Sequence, residues 1–133
     1  MQQRGFTLVE VLVASAIGTV LAFIAWPSYQ GQLRRAARSE AIETLQRAQL
    51  AQERHRAAFG VYSAELRALG LATVTPGGRY TLALEPRGTQ AYRLHARAVA
   101  DGGQQADSGC ATISVEVRQG FATLGPEGRC WNR

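Results

Sequence analysis

Lysine is absent: all 15 basic residues are Arg, set against 10 Asp and Glu, for a formal charge of +5 over 133 residues. Histidine occurs only as His55 and His95, far apart and without ligand spacing, and the two cysteines, Cys110 and Cys130, form no CxxC pair. These gaps remove the usual zinc donor sets. Asp101 and Asp107 lack the spacing of an EF-hand loop. Nor is there a Gly-rich phosphate loop, a nucleophile elbow or a paired-carboxylate cluster. The chain therefore reads as non-enzymatic and free of cofactors. A basic balance admits acidic lipid or nucleic acid as a partner. The arginines are scattered, however: Arg34, Arg35 and Arg38, then Arg47, Arg54 and Arg56, then singles. That pattern predicts a solvated surface.

Apolar residues, by contrast, are concentrated. After the short polar stretch Met1 to Gly5, with Arg4 its one basic side chain, residues 6–26 are almost all apolar. As a helix this run spans about 30 Å, the thickness of a bilayer core. Three readings compete. A cleaved secretory signal would use Ala14-Ser15-Ala16 as its cleavage site, but would leave the apolar stretch Ile17 to Trp26 at the mature N-terminus. A plain transmembrane anchor explains the length and not the acid at position 10. The third reading is a helix that leaves the bilayer to pack with copies of itself.

Glu10 separates these readings. A carboxylate within a spanning segment costs on the order of a few kcal/mol, and no basic residue lies one turn away within the apolar run. If the chain is cut between Gly5 and Phe6, the new amine of one subunit can reach Glu10 of the next. Removing one partner of such a buried pair costs about 3–5 kcal/mol.

Together, Gly5-Phe6-Thr7-Leu8-Val9-Glu10 and the apolar run behind it resemble the N-terminus of type IV pilins and pseudopilins. The resemblance implies that a prepilin peptidase cuts after Gly5 and methylates the terminal amine of Phe6, and that Glu10 pairs with a subunit N-terminus. It also implies that Pro27 kinks the helix, and Pro27-Ser28-Tyr29-Gln30 is similar to the same stretch of E-type minor pilins. The positive-inside rule alone would place Arg34, Arg35 and Arg38 inside. The resemblance and the oxidising compartment that a disulfide requires place the C-terminal side outside instead.

Residues 28–59 hold one Gly and no Pro, and are rich in good helix formers. Leu33, Ala37, Ala41, Leu45 and Ala48 form an apolar stripe. Phe59-Gly60 reads as the C-terminal cap. The helix over 6–59 would be roughly 80 Å long. Pro27 removes a backbone donor, so a kink or local melting is expected around Ile24 to Pro27. Ala14, Gly18 and Ala22, spaced by four, suit close helix approach.

Beyond Gly60 the pattern changes. Ser63 is expected to cap a short helix, Ala64 to Leu69, ended by Gly70, and Pro76-Gly77-Gly78 marks a turn. Alternation of period two predicts strands at Tyr80–Glu85, Tyr92–Ala98 and Thr112–Arg118, with Gln119-Gly120 turning into Phe121–Leu124. Asp101 to Gly109 reads as an exposed polar loop. Cys110 and Cys130 suit a disulfide better than a metal site, with two separate buried thiols as the alternative. A bridge closing a loop of about 20 residues contributes about 3 kcal/mol in the chain-entropy model and implies an oxidising compartment.

The expected fold is α+β: one long N-terminal helix packed on a three- or four-stranded antiparallel sheet, which with a C-terminal disulfide loop resembles the pilin fold. The expected organisation is a leader (1–5), the long helix (6–59, with 6–26 as transmembrane segment and filament core) and a globular head (60–133). The resemblance implies a minor subunit of a type IV pilus serving adhesion, twitching motility or DNA uptake. Its partners would be other pilin subunits, the prepilin peptidase and an inner-membrane assembly platform. The chain would sit in the inner membrane with a periplasmic C-terminal domain, then in the extracellular pilus. A secretion pseudopilin, a DNA-binding pilin and a static anchored domain are the alternatives.

Overall fold

In the computed structural model, which describes residues 5–126 and 128–131, most of the expected leader, Met1 to Arg4, lies outside the described residues, as do Glu127, Asn132 and Arg133. The long helix, α1, runs from Leu8 to Phe59. Thr7 caps its start: the Glu10 amide donates to Thr7 Oγ1 at 3.3 Å and the Val11 amide to the Thr7 carbonyl at 3.2 Å. Thr7 and Glu10 thus occupy the two side-chain positions of a capping box. At the far end Gly60 takes φ +76° and its amide donates to the Arg56 carbonyl at 2.8 Å, the expected left-handed cap.

Two compact units divide at Leu33–Arg34. The first holds the apolar part of α1. None of the residues in its most apolar stretch is buried. Within its apolar run, Ser15 bonds to the Val11 carbonyl and Thr19 to the Ser15 carbonyl, both at 2.8 Å, as an apolar medium requires. Pro27 lies inside the helix, which stays helical on both sides, so the local melting expected at Ile24 to Pro27 does not occur.

The second unit is a sheet covered by the polar half of α1. Strands β1 (Tyr80–Pro86), β2 (Ala91–Ala98), β3 (Thr112–Arg118) and β4 (Phe121–Gly125) form an antiparallel meander in sequence order. Ala37, Ala41, Leu45 and Ala48 pack on the inner face, on Tyr80, Leu82, Tyr92, Leu94, Ile113, Val115 and Val117. The β3–β4 turn puts both Gln119 (φ 49°) and Gly120 (φ 85°) in the left-handed region, the geometry of a two-residue hairpin. Cys110 and Cys130 are joined in a disulfide, which rules out the two separate thiols.

Three expectations need correction. The helix expected over Ala64 to Leu69 is a single 3-10 turn, Arg67–Leu69. Ser63 does not cap it. Its hydroxyl bonds both backbone groups of Glu65, a local alternative to helix. Asp101 to Gly109 is not simply an exposed loop, because Gln104 is fully buried there. Its Nε2 lies within hydrogen-bond distance of the Tyr80 hydroxyl (2.9 Å), Asp107 Oδ2 (3.1 Å) and the Arg34 carbonyl (3.2 Å). Nor are the arginines all solvated: Arg38 is buried, with Nε 3.4 Å from Asp107 Oδ2.

Candidate assembly segment and nucleic-acid interface

Two surfaces stand out. The first is the start of α1. Phe6, Glu10, Val11, Ala14 and Ser15 line one shallow groove, so the residue behind the expected cut and the unexpected acid share a surface. Phe6 is 82% exposed. The Glu10 carboxylate has no partner among the described residues, and it sits in the first helical turn, where the N-terminal end of the helix dipole favours an anion. Further along, Ser15, Gly18, Thr19 and Ala22 form a small-residue face flanked by Phe23 and Trp26. Ala14, one turn before Gly18 on the same helix, lines the groove with Glu10.

The second surface is one end of the sheet. Antiparallel register brings the β1–β2 and β3–β4 turns together, and the Gln119 amide donates to the Gln90 carbonyl at 2.9 Å. Arg87, Thr89, Gln90, Ala91, Arg118 and Gln119 line a polar groove there. Arg56, from the last turn of α1, reaches the same end: its Nη1 would lie 3.6 Å from a Cβ placed on Gly120. This guanidinium also stacks on the Tyr62 ring at 5.3 Å and donates to its hydroxyl at 3.0 Å.

Acids hold this end in order. Arg87 pairs with Glu85 at 3.0 Å. On the outer face Glu116 accepts from Arg118 (Nε, 2.6 Å) and from Arg93 (Nε, 3.1 Å, and Nη2). The bond from Arg93, then that from Arg118, hold the Glu116 carboxyl below the usual carboxylate range. Arg93, Arg97 and Arg118, with Arg87 at the edge, outnumber Glu85 and Glu116, so the face keeps a positive surplus. His95 lies beside Glu85 at 3.6 Å, and His55 Nδ1 lies 3.0 Å from the Val61 carbonyl. No group of three His, Cys, Asp or Glu suited to a metal occurs among the described residues.

Glu10 and Phe6 were marked by sequence. The basic end of the sheet was not, because its arginines come from separate strands and meet only through register; the alternating Arg93, Arg97 and Glu116 were the available signal.

Comparison with known proteins bears on both surfaces. Residues 27–114 match the family described as "Type IV minor pilin ComP, DNA uptake sequence receptor", and residues 1–26 match "Prokaryotic N-terminal methylation motif". The chain is 37% identical over 78 residues to Fimbrial protein EcpC of Eikenella corrodens, covering 59% of this chain and 50% of that protein. It is 44% identical over 43 residues to Prepilin peptidase-dependent protein D of Escherichia coli (strain K12), covering 32% and 30%. The chain thus spans half or less of the length of these curated relatives.

Proposed function

The chain belongs to the type IV minor pilin family, and on that premise we propose that it is a non-catalytic subunit held first in the inner membrane and then in a type IV pilus. A prepilin peptidase cuts between Gly5 and Phe6 and methylates the new amine. An assembly platform then moves the apolar part of α1 from lipid to neighbouring helices. Glu10 takes the amine of an adjacent subunit as its counter-charge.

One observation carries this reading: an apolar helical stretch with no buried residue, at whose start Phe6 and a Glu10 without a partner among the described residues share one groove. Lipid and like helices both cover such a surface, and only the second supplies a cation at that depth. Mass spectrometry of the mature chain is the test. Loss of Met1 to Gly5 with one added methyl on Phe6 is expected, while a chain retaining its first five residues would overturn the reading. Glu10→Ala should abolish recovery in sheared filaments with the chain still present in the membrane.

The arginine-lined end of the sheet supports a further role, capture of DNA, which the matched family's description also names. Arg87 and Arg118 are exposed forks suited to phosphate, and Gln119 adds an amide at the groove. Binding of a duplex by the full chain in detergent should then weaken steeply with salt. Arg87→Gln should weaken it about evenly across sequences and lower the salt slope by about 1. Binding that is absent at low salt, or indifferent to salt, would remove this role and leave the structural one.

A further inference from the structure

We infer that the Cys110–Cys130 bridge is directional: an incoming thiolate attacks Cys130, and Cys110 is the sulfur that leaves, held as a thiolate by Arg38. The two sulfurs have different neighbours. Arg38 Nη1 donates to Cys110 Sγ at 3.2 Å. Arg38 is itself buried on α1, and Asp107, its carboxylate partner, sits at Nε rather than at the Nη1 that faces sulfur. Cys130 Sγ instead lies 3.5 Å from the Gly109 carbonyl oxygen. Arg129, the neighbour of Cys130 in sequence, gives its Nη2 to the Ser108 carbonyl. A guanidinium favours S⁻, whereas a carbonyl oxygen favours S–H. The same environment therefore makes Cys110 the better leaving group and leaves Cys130 as the thiol.

Anchoring points the same way. Cys110 is fully buried at the entrance to β3. Its amide donates to the Asp107 carbonyl at 2.9 Å, and its carbonyl accepts from the Tyr80 hydroxyl at 3.2 Å. Cys130 is 3% exposed and stands on a four-residue 3-10 turn, Gly128–Trp131. That turn also carries the buried Trp131, so Cys130 is uncovered only as the turn parts from the core, whereas Cys110 is tied to the sheet by backbone bonds.

In the exchange the external thiolate bonds to Cys130 Sγ, the Cys110–Cys130 bond breaks, and its electron pair passes to Cys110 Sγ. In the reverse step the Cys110 thiolate attacks Cys130 in the mixed disulfide, expels the external thiolate and restores the bridge. A low-pKa leaving thiol speeds the first step. The partner class is any thiolate nucleophile, from a small monothiol to a dithiol oxidoreductase.

Reduced glutathione is the probe. The oxidised full chain in detergent is exposed to it briefly, quenched with N-ethylmaleimide and mapped by peptide mass spectrometry. The expected trapped species carries glutathione on Cys130 and maleimide on Cys110, in about tenfold excess over the converse. The converse species, equal shares, or no adduct on either cysteine would overturn the inference. Arg38→Met should shrink the excess several-fold and raise the pH at which reduced Cys110 alkylates, and Arg38→Lys should restore both. An Arg38→Met chain with undiminished excess would also overturn it. The unmodified chain tests the direction whether or not that variant folds.

Discussion

The two units differ in what they leave unsatisfied. In the first, Leu8, Leu12, Ile17, Leu21 and Phe23 are all exposed, and Glu10 has no counter-charge among the described residues. In the second, the stripe of α1 and the inner face of the sheet close on one another, and Glu116 is shared by two arginines. Apolar side chains contribute to stability only where water is removed from them. The first unit therefore has to obtain its burial from lipid or other molecules, while the second supplies its own.

Paired leucines break or sharpen that contrast. Leu45 is 0% exposed and Leu12 is 61% exposed. Leu45→Ala should lower the unfolding free energy of the second unit by about 2–5 kcal/mol, the range for a large-to-small change in a packed core. Leu12→Ala should leave denaturant unfolding of the head unchanged within error in detergent. A Leu12→Ala chain as destabilised as Leu45→Ala would show that the first unit buries its own surface.

A smaller effect separates polar burial from apolar burial. Gln52 is fully buried on α1, and its amide bonds both backbone groups of Ser63, Nε2 to the carbonyl at 2.9 Å and the Ser63 amide to Oε1 at 2.8 Å. Gln52→Leu keeps the side-chain bulk and strands both backbone groups. It should cost about 1–3 kcal/mol, read as a lower denaturant midpoint with an unchanged m-value. A neutral outcome would mean that water replaces the amide at Ser63.

The sequence was most legible where one physical demand acts on neighbouring residues. The apolar run of 6–26, the alternation in β1 to β3 and the Gly60 cap are local patterns, and the structure follows them. Legibility fails where a polar residue is satisfied from a distance. Gln52 and Gln104 look like surface residues on composition, yet Gln52 is buried because the backbone of Ser63 meets both ends of its amide, and Gln104 because the Tyr80 hydroxyl, the Arg34 carbonyl and Asp107 gather around its Nε2. Arg38 reads as one more surface cation until Asp107 and Cys110, far along the chain, enclose it. The basic groove is illegible for the same reason: only sheet register brings Arg87 and Arg118 together.

The smallest expected effect concerns the carboxylates that distinguish the two units. Glu116 accepts from Arg93 and Arg118, and these bonds hold its carboxyl below the usual carboxylate range. As pH falls, the unfolded chain takes up that proton before the folded one does. The contribution is therefore complete above the ordinary glutamate range and is lost as pH falls through the lower folded value. The site is near the surface, so salt and water screen it and the loss is small. Denaturant unfolding of the wild-type chain and Glu116→Gln, compared from pH 7 to pH 3, should show two curves that converge on the acid side. Parallel curves would show that the two arginines leave Glu116 energetically as free as an unpaired carboxylate. The contrast with Glu10 would then rest on apolar exposure alone, since the head would gain nothing from supplying its own counter-charges.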